Sequence, residues 1–253
     1  MVAFSRQVDN DLQSVLNTLD VLECLAREED IDAGDLAQRL EIPECTAQRL
    51  LDAICARGLA AQDPATGQYR LGVHLFELSQ MASDRFPLRR AGLPLLEGLR
   101  QASHLSVHLT VPEGADIVFL ERLPCVPRVG MMGAVTRRMP SHATSAGKAI
   151  AAFDPAFAQA RKAAGFPQLT PRTISTAAGF DRALAEVRRS GVAISVRESQ
   201  CQLTSVAAPV RNFCGRAYAA ISVVGPEEEF GDVGCAARLV IDATARLSQT
   251  LGR

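Results

Sequence analysis

Residues 137–148 contain the chain's closest approach to a known chemical motif. The segment ends in Ser145-Ala-Gly-Lys148, which looks like the end of a phosphate-binding loop. Such a loop needs a glycine five residues before its last glycine, and a Ser or Thr after the Lys to bind Mg²⁺. This chain has His142 and Ala149 at those two positions, so the segment is not predicted to bind a nucleotide.

The same segment permits two other interpretations. Thr144-Ser145 precedes a run of small residues, so backbone N–H groups at the start of a helix could hold a carboxylate. A plain N-cap followed by small residues for close packing would give the same pattern. The spacing of the residues does not separate an anion site from a structural cap.

Other catalytic and metal-binding signatures are missing from the sequence. It contains no G-x-S-x-G, H-E-x-x-H or G-x-G-x-x-G pattern. Of the four histidines, only His104 and His108 are four residues apart, and a strand predicted to begin at Leu105 separates them. The seven cysteines are scattered without a C-x-x-C pair, so most are expected to be small buried residues. We therefore predict no catalytic residues, no metal and no cofactor.

The elements that could position a binding site begin with residues 32–58, which predict two helices with a break between them. Asp32 is a suitable N-cap for a helix ending at Leu40. Pro43 ends that helix and suits the first turn of a second one over residues 44–57. Gly58 is the expected C-cap. The second helix has its apolar residues on one stripe: Ala47, Leu50, Leu51, Ile54 and Cys55.

A hairpin is predicted directly after these helices. Residues 59–62 and 68–71 are strand-like, and Pro64 and Gly67 lie in the turn between them. Two helices followed by a hairpin are typical of a winged helix-turn-helix, whose second helix lies in the major groove of DNA. The same elements also occur in domains without a nucleic-acid partner, so the pattern does not prove DNA binding.

The charge of this region is unusual for a DNA-binding domain. Residues 1–75 contain 6 Arg and no Lys against 13 Asp and Glu, a net charge of −7. Affinity for DNA depends largely on cations that neutralise phosphates. We therefore expect the cations of the helices and hairpin to lie on one face: Arg39, Arg49, Arg57 and Arg70.

The bulk composition predicts a globular protein of two domains. The chain has 253 residues, 47% apolar residues and a net charge of −1, which is enough apolar content for proper cores and shows no sign of disorder. Its first residues lack the hydrophobic segment of a signal peptide, and no run approaches the ~20 apolar residues that span a membrane. We expect a cytoplasmic protein with no membrane partner.

The rest of the chain predicts an α+β sheet domain. A helical stripe over residues 12–27 is expected to support the helix pair, and a helix over residues 73–84 is expected to connect two domains. After a helix over residues 88–103, two strands joined by a hairpin and a third strand near residues 128–132 are predicted. Three helices follow, then three more strands, and a helix over 233–251 closes the chain. Hairpin-built strands favour α+β over a doubly wound parallel sheet.

Eight stretches in this order also carry a family resemblance. They are Asp35-Leu-Ala-Gln-Arg-Leu40, Ile42-Pro-Glu-Cys-Thr-Ala-Gln-Arg-Leu-Leu51, Arg57-Gly-Leu59, Tyr69-Arg-Leu-Gly72, Met139-Pro-Ser-His-Ala-Thr-Ser-Ala-Gly-Lys148, Leu169-Thr-Pro-Arg-Thr173, Ala207-Ala-Pro-Val210 and Ala220-Ile-Ser-Val-Val-Gly-Pro226. Together they resemble the isocitrate lyase regulator (IclR) family of bacterial transcription factors, over nearly the whole chain.

The resemblance implies a winged helix-turn-helix domain at residues 1–72, a linker helix at 73–87, and a GAF-like or profilin-like effector-binding α+β domain at 88–253. It also implies a homodimer or homotetramer that binds double-stranded operator DNA and controls a catabolic operon. By position, the family's DNA-reading residues are Thr46, Gln48 and Arg49, to which we add the hairpin's Arg70. The implied effector-binding residues are Met139, Ser145, Ala146, Ser205 and Ser222.

One segment departs from the family pattern. The stretch before the pocket strand is usually acidic in the family, but here it reads Ser195-Val-Arg-Glu198. Ser195 or Val196 stands where an acid is expected, with Arg197 beside them. An anionic effector, a small organic acid, is therefore predicted, with Arg197 as a second anchor.

The sequence thus predicts a regulator that responds to a ligand. It leaves a second hypothesis open, in which a metabolic enzyme carries a degenerate helix-turn-helix as a docking module. A mobility shift of the chain's own upstream DNA, with an affinity that falls steeply as salt rises, would favour the regulator.

Overall fold

Local capping signals decide where the first helices begin and end. The computed structural model describes residues 2–28, 30–125 and 138–251. Asp32 caps the second helix, since its carboxylate accepts a 2.8 Å hydrogen bond from the Asp35 N–H. That helix ends before Glu41, which adopts a left-handed conformation, and Pro43 then occupies the N-cap of the next helix. Both predicted boundaries are confirmed.

The described chain divides into two compact units, Met1–Arg85 and Phe86–Arg253. The first unit contains helices α1 (Val2–Arg27), α2 (Ala33–Leu40), α3 (Glu44–Cys55) and α4 (Val73–Asp84), and the hairpin of β1 (Ala60–Gln62) and β2 (Tyr69–Leu71). Helix α3 is two residues shorter than predicted, because Ala56 is its C-cap and Gly58, at φ +68°, follows in the turn. Helix α4 lies within this unit, and its role as a linker stays a prediction.

The core of the first unit uses only part of the apolar stripe on α1. Val21 and Leu25 are buried against α2, α3 and the hairpin. The earlier stripe is exposed, so the prediction that all of it supports the helix pair is wrong. Helix α1 contacts the core of this unit from Val21 onward, and the apolar residues at 12–19 lie before that part of the helix. The exposed residues are Leu12 (59%), Val15 (56%), Leu16 (46%) and Leu19 (53%).

The second unit is built on a six-stranded antiparallel sheet in the order β5-β4-β3-β8-β7-β6. Its strands are β3 (Ser106–Glu113), β4 (Asp116–Leu123), β5 (Arg138–Pro140), β6 (Ala193–Val196), β7 (Leu203–Arg211) and β8 (Ala217–Pro226). Its helices are α5 (Pro87–Ser103), α6 (Ser145–Ala151), α7 (Pro155–Ala164), α8 (Ala177–Ser190) and α9 (Val233–Leu251). The α+β prediction is confirmed. The predicted strand near residues 128–132 lies outside the described residues, and β5 was not predicted.

The two faces of this sheet have different partners. One face packs a core of strand side chains, including Leu109, Val206 and Ile221, against α5 and α9. The other face packs Phe119, Ala207 and Ala220 against the group formed by α6, α7 and α8. Side chains alternate between faces along a strand, so residues two apart on β3, β7 and β8 share the face that meets α6. That face holds the polar residues described next.

Candidate functional site

The start of α6 is fixed tightly against the turn before it. Thr144 is the N-cap, and its Oγ1 accepts a 3.1 Å hydrogen bond from the Gly147 N–H. Gly147 has no side chain, and a Cβ at this position would lie 2.2 Å from the carbonyl oxygen of Ser141. Only glycine therefore permits the close approach of the turn Ser141–Ala143 to the helix. All seven residues of α6 are buried.

A cavity of about 140 Å³ lies between the start of α6 and the sheet. Cavities of about 150 Å³ can hold a molecule the size of benzene, so this one has room for a small organic ligand. Its walls come from β3, β4, β7, β8 and the loop after β6. The lining residues are His104, Leu105, Ser106, His108, Ile117, Phe119, Arg122, Cys125, Met139, Thr144, Ser145, Ala146, Ser199, Gln200, Leu203, Ser205, Ser222, Val224, Gly225, Pro226 and Glu229.

One row of paired residues crosses the sheet beneath this cavity. In the strand register, Arg122 on β4 is opposite His108 on β3, and His108 is opposite Ser222 on β8. All three line the cavity. On the α6 side, the Ser145 hydroxyl donates a 2.8 Å hydrogen bond to the Ser205 hydroxyl of β7. The cavity therefore has a cation at one end of the row and uncharged polar groups along the rest.

His108 is an uncharged member of this row. Its ring and the Phe119 ring form a T-shaped pair with centroids 5.0 Å apart, and the Arg122 guanidinium lies 5.2 Å from the centre of the same Phe119 ring. Burial and the nearby Arg122 charge lower the pKa of His108 to about 3, so the imidazole is neutral at pH 7. Its Nε2 has no hydrogen-bond partner among the described residues.

The structure brings together five of the six residues predicted for an effector site. Met139, Ser145, Ala146, Ser205 and Ser222 all line the cavity.

Arg197 does not line it, so the structure does not support Arg197 as a second anchor. Arg197 has a left-handed backbone with φ of +60°, and its half-exposed guanidinium pairs with Glu227. The cation that does line the cavity is Arg122, which our interpretation of the sequence missed. A strand with polar residues at both ends gave no signal of which face Arg122 would occupy.

A buried ion pair holds the loop that closes one wall of the cavity. Lys148 of α6 is 3% exposed, and its Nζ donates to the carbonyl of Ile194 at 2.8 Å and to Glu198 at 2.5 Å. Burial lowers the pKa of Lys148, and the Glu198 charge acts against that shift. Ser199 and Gln200, which line the cavity, follow Glu198 directly.

Two threonine hydroxyls hold the backbone of the same loop. Thr170 donates to the carbonyl of Arg197 at 2.5 Å, and Thr173 donates to the carbonyl of Glu198 at 2.6 Å. Both threonines are buried. The loop is therefore held both by the side chain of Glu198 and by the backbone carbonyls of Arg197 and Glu198.

In the first unit, α3 presents its predicted DNA-reading residues in different ways. Arg49 is exposed, and its side chain has no hydrogen bond or ion pair with any described residue. Thr46 is half-exposed. Gln48 donates 2.8 Å hydrogen bonds to Asp52 and to the hydroxyl of Tyr69, so it ties α3 to the hairpin.

The cations around α3 also differ in their pairing. Arg70 on β2 and Arg57 after α3 are exposed and make no ion pair within the described residues. Arg39 pairs with Glu28 at 2.6 Å. Three of the four cations expected on one face are therefore free of ion pairs with the described acids.

The described residues show no group of three or more His, Cys, Asp or Glu side chains that could hold a metal ion. Within the same residues, no helix combines the length and apolar character needed to cross a membrane. The cavity of the second unit is suited to a small molecule, and the exposed arginines on and beside α3 are suited to an anionic polymer such as DNA.

Comparison with known proteins gives matches over nearly the whole chain. The family model of the bacterial transcriptional regulator IclR C-terminal domain matches residues 80–248, and the IclR helix-turn-helix model matches residues 14–64. The chain is 29% identical to a glycerol operon regulatory protein of Streptomyces griseus over 247 residues, 96% of this chain and 97% of that protein. It is 25% identical to the HTH-type transcriptional regulator KdgR of Escherichia coli, over 88% of this chain and 86% of that protein.

Solved structures share the fold. An IclR homologue from Microbacterium hydrocarbonoxydans, complexed with 4-hydroxybenzoate, is 27% identical with a TM-score of 0.81, over 94% of this chain and 98% of that chain. An IclR-type regulator from Alicyclobacillus acidocaldarius has a TM-score of 0.80 at 22% identity, over 94% of this chain and 98% of that chain. The second likeness concerns the fold alone.

Proposed function

Because the chain belongs to the IclR family of bacterial transcriptional regulators, we propose that it binds operator DNA through α3 and responds to a small organic acid bound in the cavity of its second unit. The family consists of regulators and not of enzymes. The observation that carries the acid is the Arg122 cation on the cavity wall, which faces a lining of mostly uncharged groups together with Glu229. The target is a catabolic operon, as the name of the Streptomyces griseus relative suggests for that protein.

The proposed response is one binding equilibrium linked to another. An effector that prefers one arrangement of the two units changes DNA affinity by its differential affinity for the two arrangements. No bond is made or broken. An aromatic or aliphatic acid of few atoms fits a cavity of about 140 Å³. The Microbacterium homologue is complexed with one aromatic acid, 4-hydroxybenzoate.

A mobility shift with the chain's own upstream DNA, run across a salt series with candidate acids, tests the proposal. We expect the protein to retard the DNA, and we expect this binding to weaken steeply as salt rises. The reason is that cationic side chains of the protein displace counterions from the DNA phosphates. We also expect at least one acid to change the retention. A thermal-shift screen identifies that acid, since a ligand of the folded state raises apparent stability by mass action. Retention that is independent of salt and of every acid would contradict the proposal.

We predict that Arg49→Ala weakens operator binding by about 1–3 kcal/mol if Arg49 reads a base. Its side chain is exposed on α3, and Asp52, its acidic neighbour on the helix, accepts a hydrogen bond from Gln48. Arg39→Ala is the matched control, because Arg39 already pairs with Glu28. Quantitative mobility shifts compare the two variants. A folded Arg49→Ala protein with wild-type operator affinity would show that Arg49 does not contact DNA.

We also predict a dimer or tetramer at micromolar concentration, measured by sedimentation velocity. Two-fold operators require at least a dimer. The exposed stripe on α1 and the exposed apolar residues of α4, among them Phe76 (62%) and Met81 (58%), offer surface for association. Leu16→Lys with Leu19→Lys should shift the protein toward smaller species, whereas Gln13→Lys should not. A monomer in the wild type would refute this prediction.

A further inference from the structure

We infer that the ligand of the cavity is a hydroxy acid and that His108 selects for its hydroxyl group. This inference rests on the proposed function, which assigns an acid to the cavity, and adds the second group that the ligand must carry. The observation behind it is the row Arg122, His108 and Ser222, which crosses three adjacent strands on the cavity face.

The row fixes the relative positions of the two ligand groups. Among the described lining residues Arg122 carries the positive charge that can attract a carboxylate, and Glu229 carries a negative charge. Neighbouring strands lie about 4.8 Å apart, so the residue opposite Arg122 is one strand spacing away. A ligand anchored at Arg122 therefore places its next few atoms over His108.

The unmet hydrogen-bonding capacity of His108 decides what those atoms are. Its Nε2 is buried without a partner among the described residues. A buried polar atom left unpaired destabilises the protein, so a ligand group that forms a hydrogen bond with it binds more tightly. A neutral imidazole nitrogen is either a donor or an acceptor, depending on the tautomer. A hydroxyl can both donate and accept, so it pairs with either tautomer, whereas a methylene pairs with neither.

The surroundings of His108 argue against a second carboxylate at this position. The imidazole remains neutral beside Arg122, so it offers no charge to a carboxylate. The Phe119 ring packs against it at a steep angle, and the residue opposite it on β8 is the uncharged Ser222. An acid at Arg122 with a hydroxyl over His108 and Ser222 matches both ends of the row.

Calorimetry with matched pairs of acids tests the inference on the full-length protein. The pairs are lactate and propionate, 3-hydroxybutyrate and butyrate, and 3- or 4-hydroxybenzoate and benzoate. We expect at least one hydroxy acid to bind at least about tenfold more tightly than its partner without the hydroxyl. His108→Phe should bring that ratio of affinities close to one, because Phe also has an aromatic ring but no nitrogen that can form a hydrogen bond. His108→Gln should retain part of the ratio, since its amide can donate and accept.

Arg122→Gln separates this inference from the proposed function. This variant should weaken the binding of both acids in a pair by a similar factor, so the ratio of their affinities should stay the same. If no acid in the panel binds the wild type, the acid-binding function and this inference both fail. If acids bind equally with and without the hydroxyl, or if the ratio persists in folded His108→Phe and His108→Gln proteins, only the role of His108 is overturned.

Discussion

Ala146→Leu is expected to abolish the effect of an organic acid on operator binding. Ala146 is 2% exposed and lines the cavity at the start of α6, where it follows Ser145. Three additional carbons at this position occupy space in a cavity of about 140 Å³. The measurement is a mobility shift with the acid found by the thermal-shift screen, combined with calorimetry on the same variant.

Two controls accompany Ala146→Leu. Overpacking of a buried site costs about 1–3 kcal/mol, so thermal unfolding must show that the second unit remains folded. Ala146→Gly is the matched variant, since it removes a methyl group and leaves the cavity open. Operator binding without acid shows that α3 is intact in both proteins. An Ala146→Leu protein that still binds the acid with wild-type affinity would remove the cavity from the proposed effector site.

Lys148→Met is expected to destabilise the second unit by about 3–5 kcal/mol, because it leaves the Glu198 charge buried without its partner. Lys148 and Glu198 expose 4% and 13% of their side chains, and one carboxylate oxygen of Glu198 already has no hydrogen-bond partner among the described residues. Denaturant unfolding measures the change. The loss should also loosen the loop of Ser199 and Gln200 and weaken acid binding.

Lys162→Met is the matched control for Lys148→Met. Lys162 pairs with Asp181 at 2.7 Å, but 54% of the Asp181 side chain is exposed. Pairs at the surface contribute about 0–1 kcal/mol, so this variant should unfold close to the wild type. Combining Lys148→Met with Glu198→Leu removes both buried charges and should recover most of the lost stability. Equal, small effects of Lys148→Met and Lys162→Met would mean that the buried pair contributes little.

The local signals in the sequence predicted the first unit well. Asp32 caps α2, Pro43 precedes α3, and Leu50 and Ile54 face the core, as expected. These features depend on residues within about four positions of one another, so they are visible in a single sequence. The stripe on α1 failed for the opposite reason. Its periodicity predicted a buried face, but whether Leu12 and Leu19 are covered depends on what lies beside them.

The candidate effector site was also predicted only in part from the sequence. A resemblance over nearly the whole chain predicted Met139, Ser145, Ala146, Ser205 and Ser222 as effector-binding residues, and the tertiary structure places all five around one cavity. The same resemblance did not identify the charged and neutral groups that distinguish this cavity.

Only the tertiary structure shows which charged and neutral side chains line the cavity. His108 meets Ser222 through strand pairing over 114 positions of sequence, and a shift of one residue in that register would turn both side chains to the other face. Arg197 was predicted as an anchor because it is a cation near the pocket strand, but a left-handed backbone and Glu227 keep it out of the cavity lining. Caps and periodicity are local, and the sequence determines them by itself. The face of a strand and the direction of a charged side chain depend on long-range packing, and only the folded chain determines them.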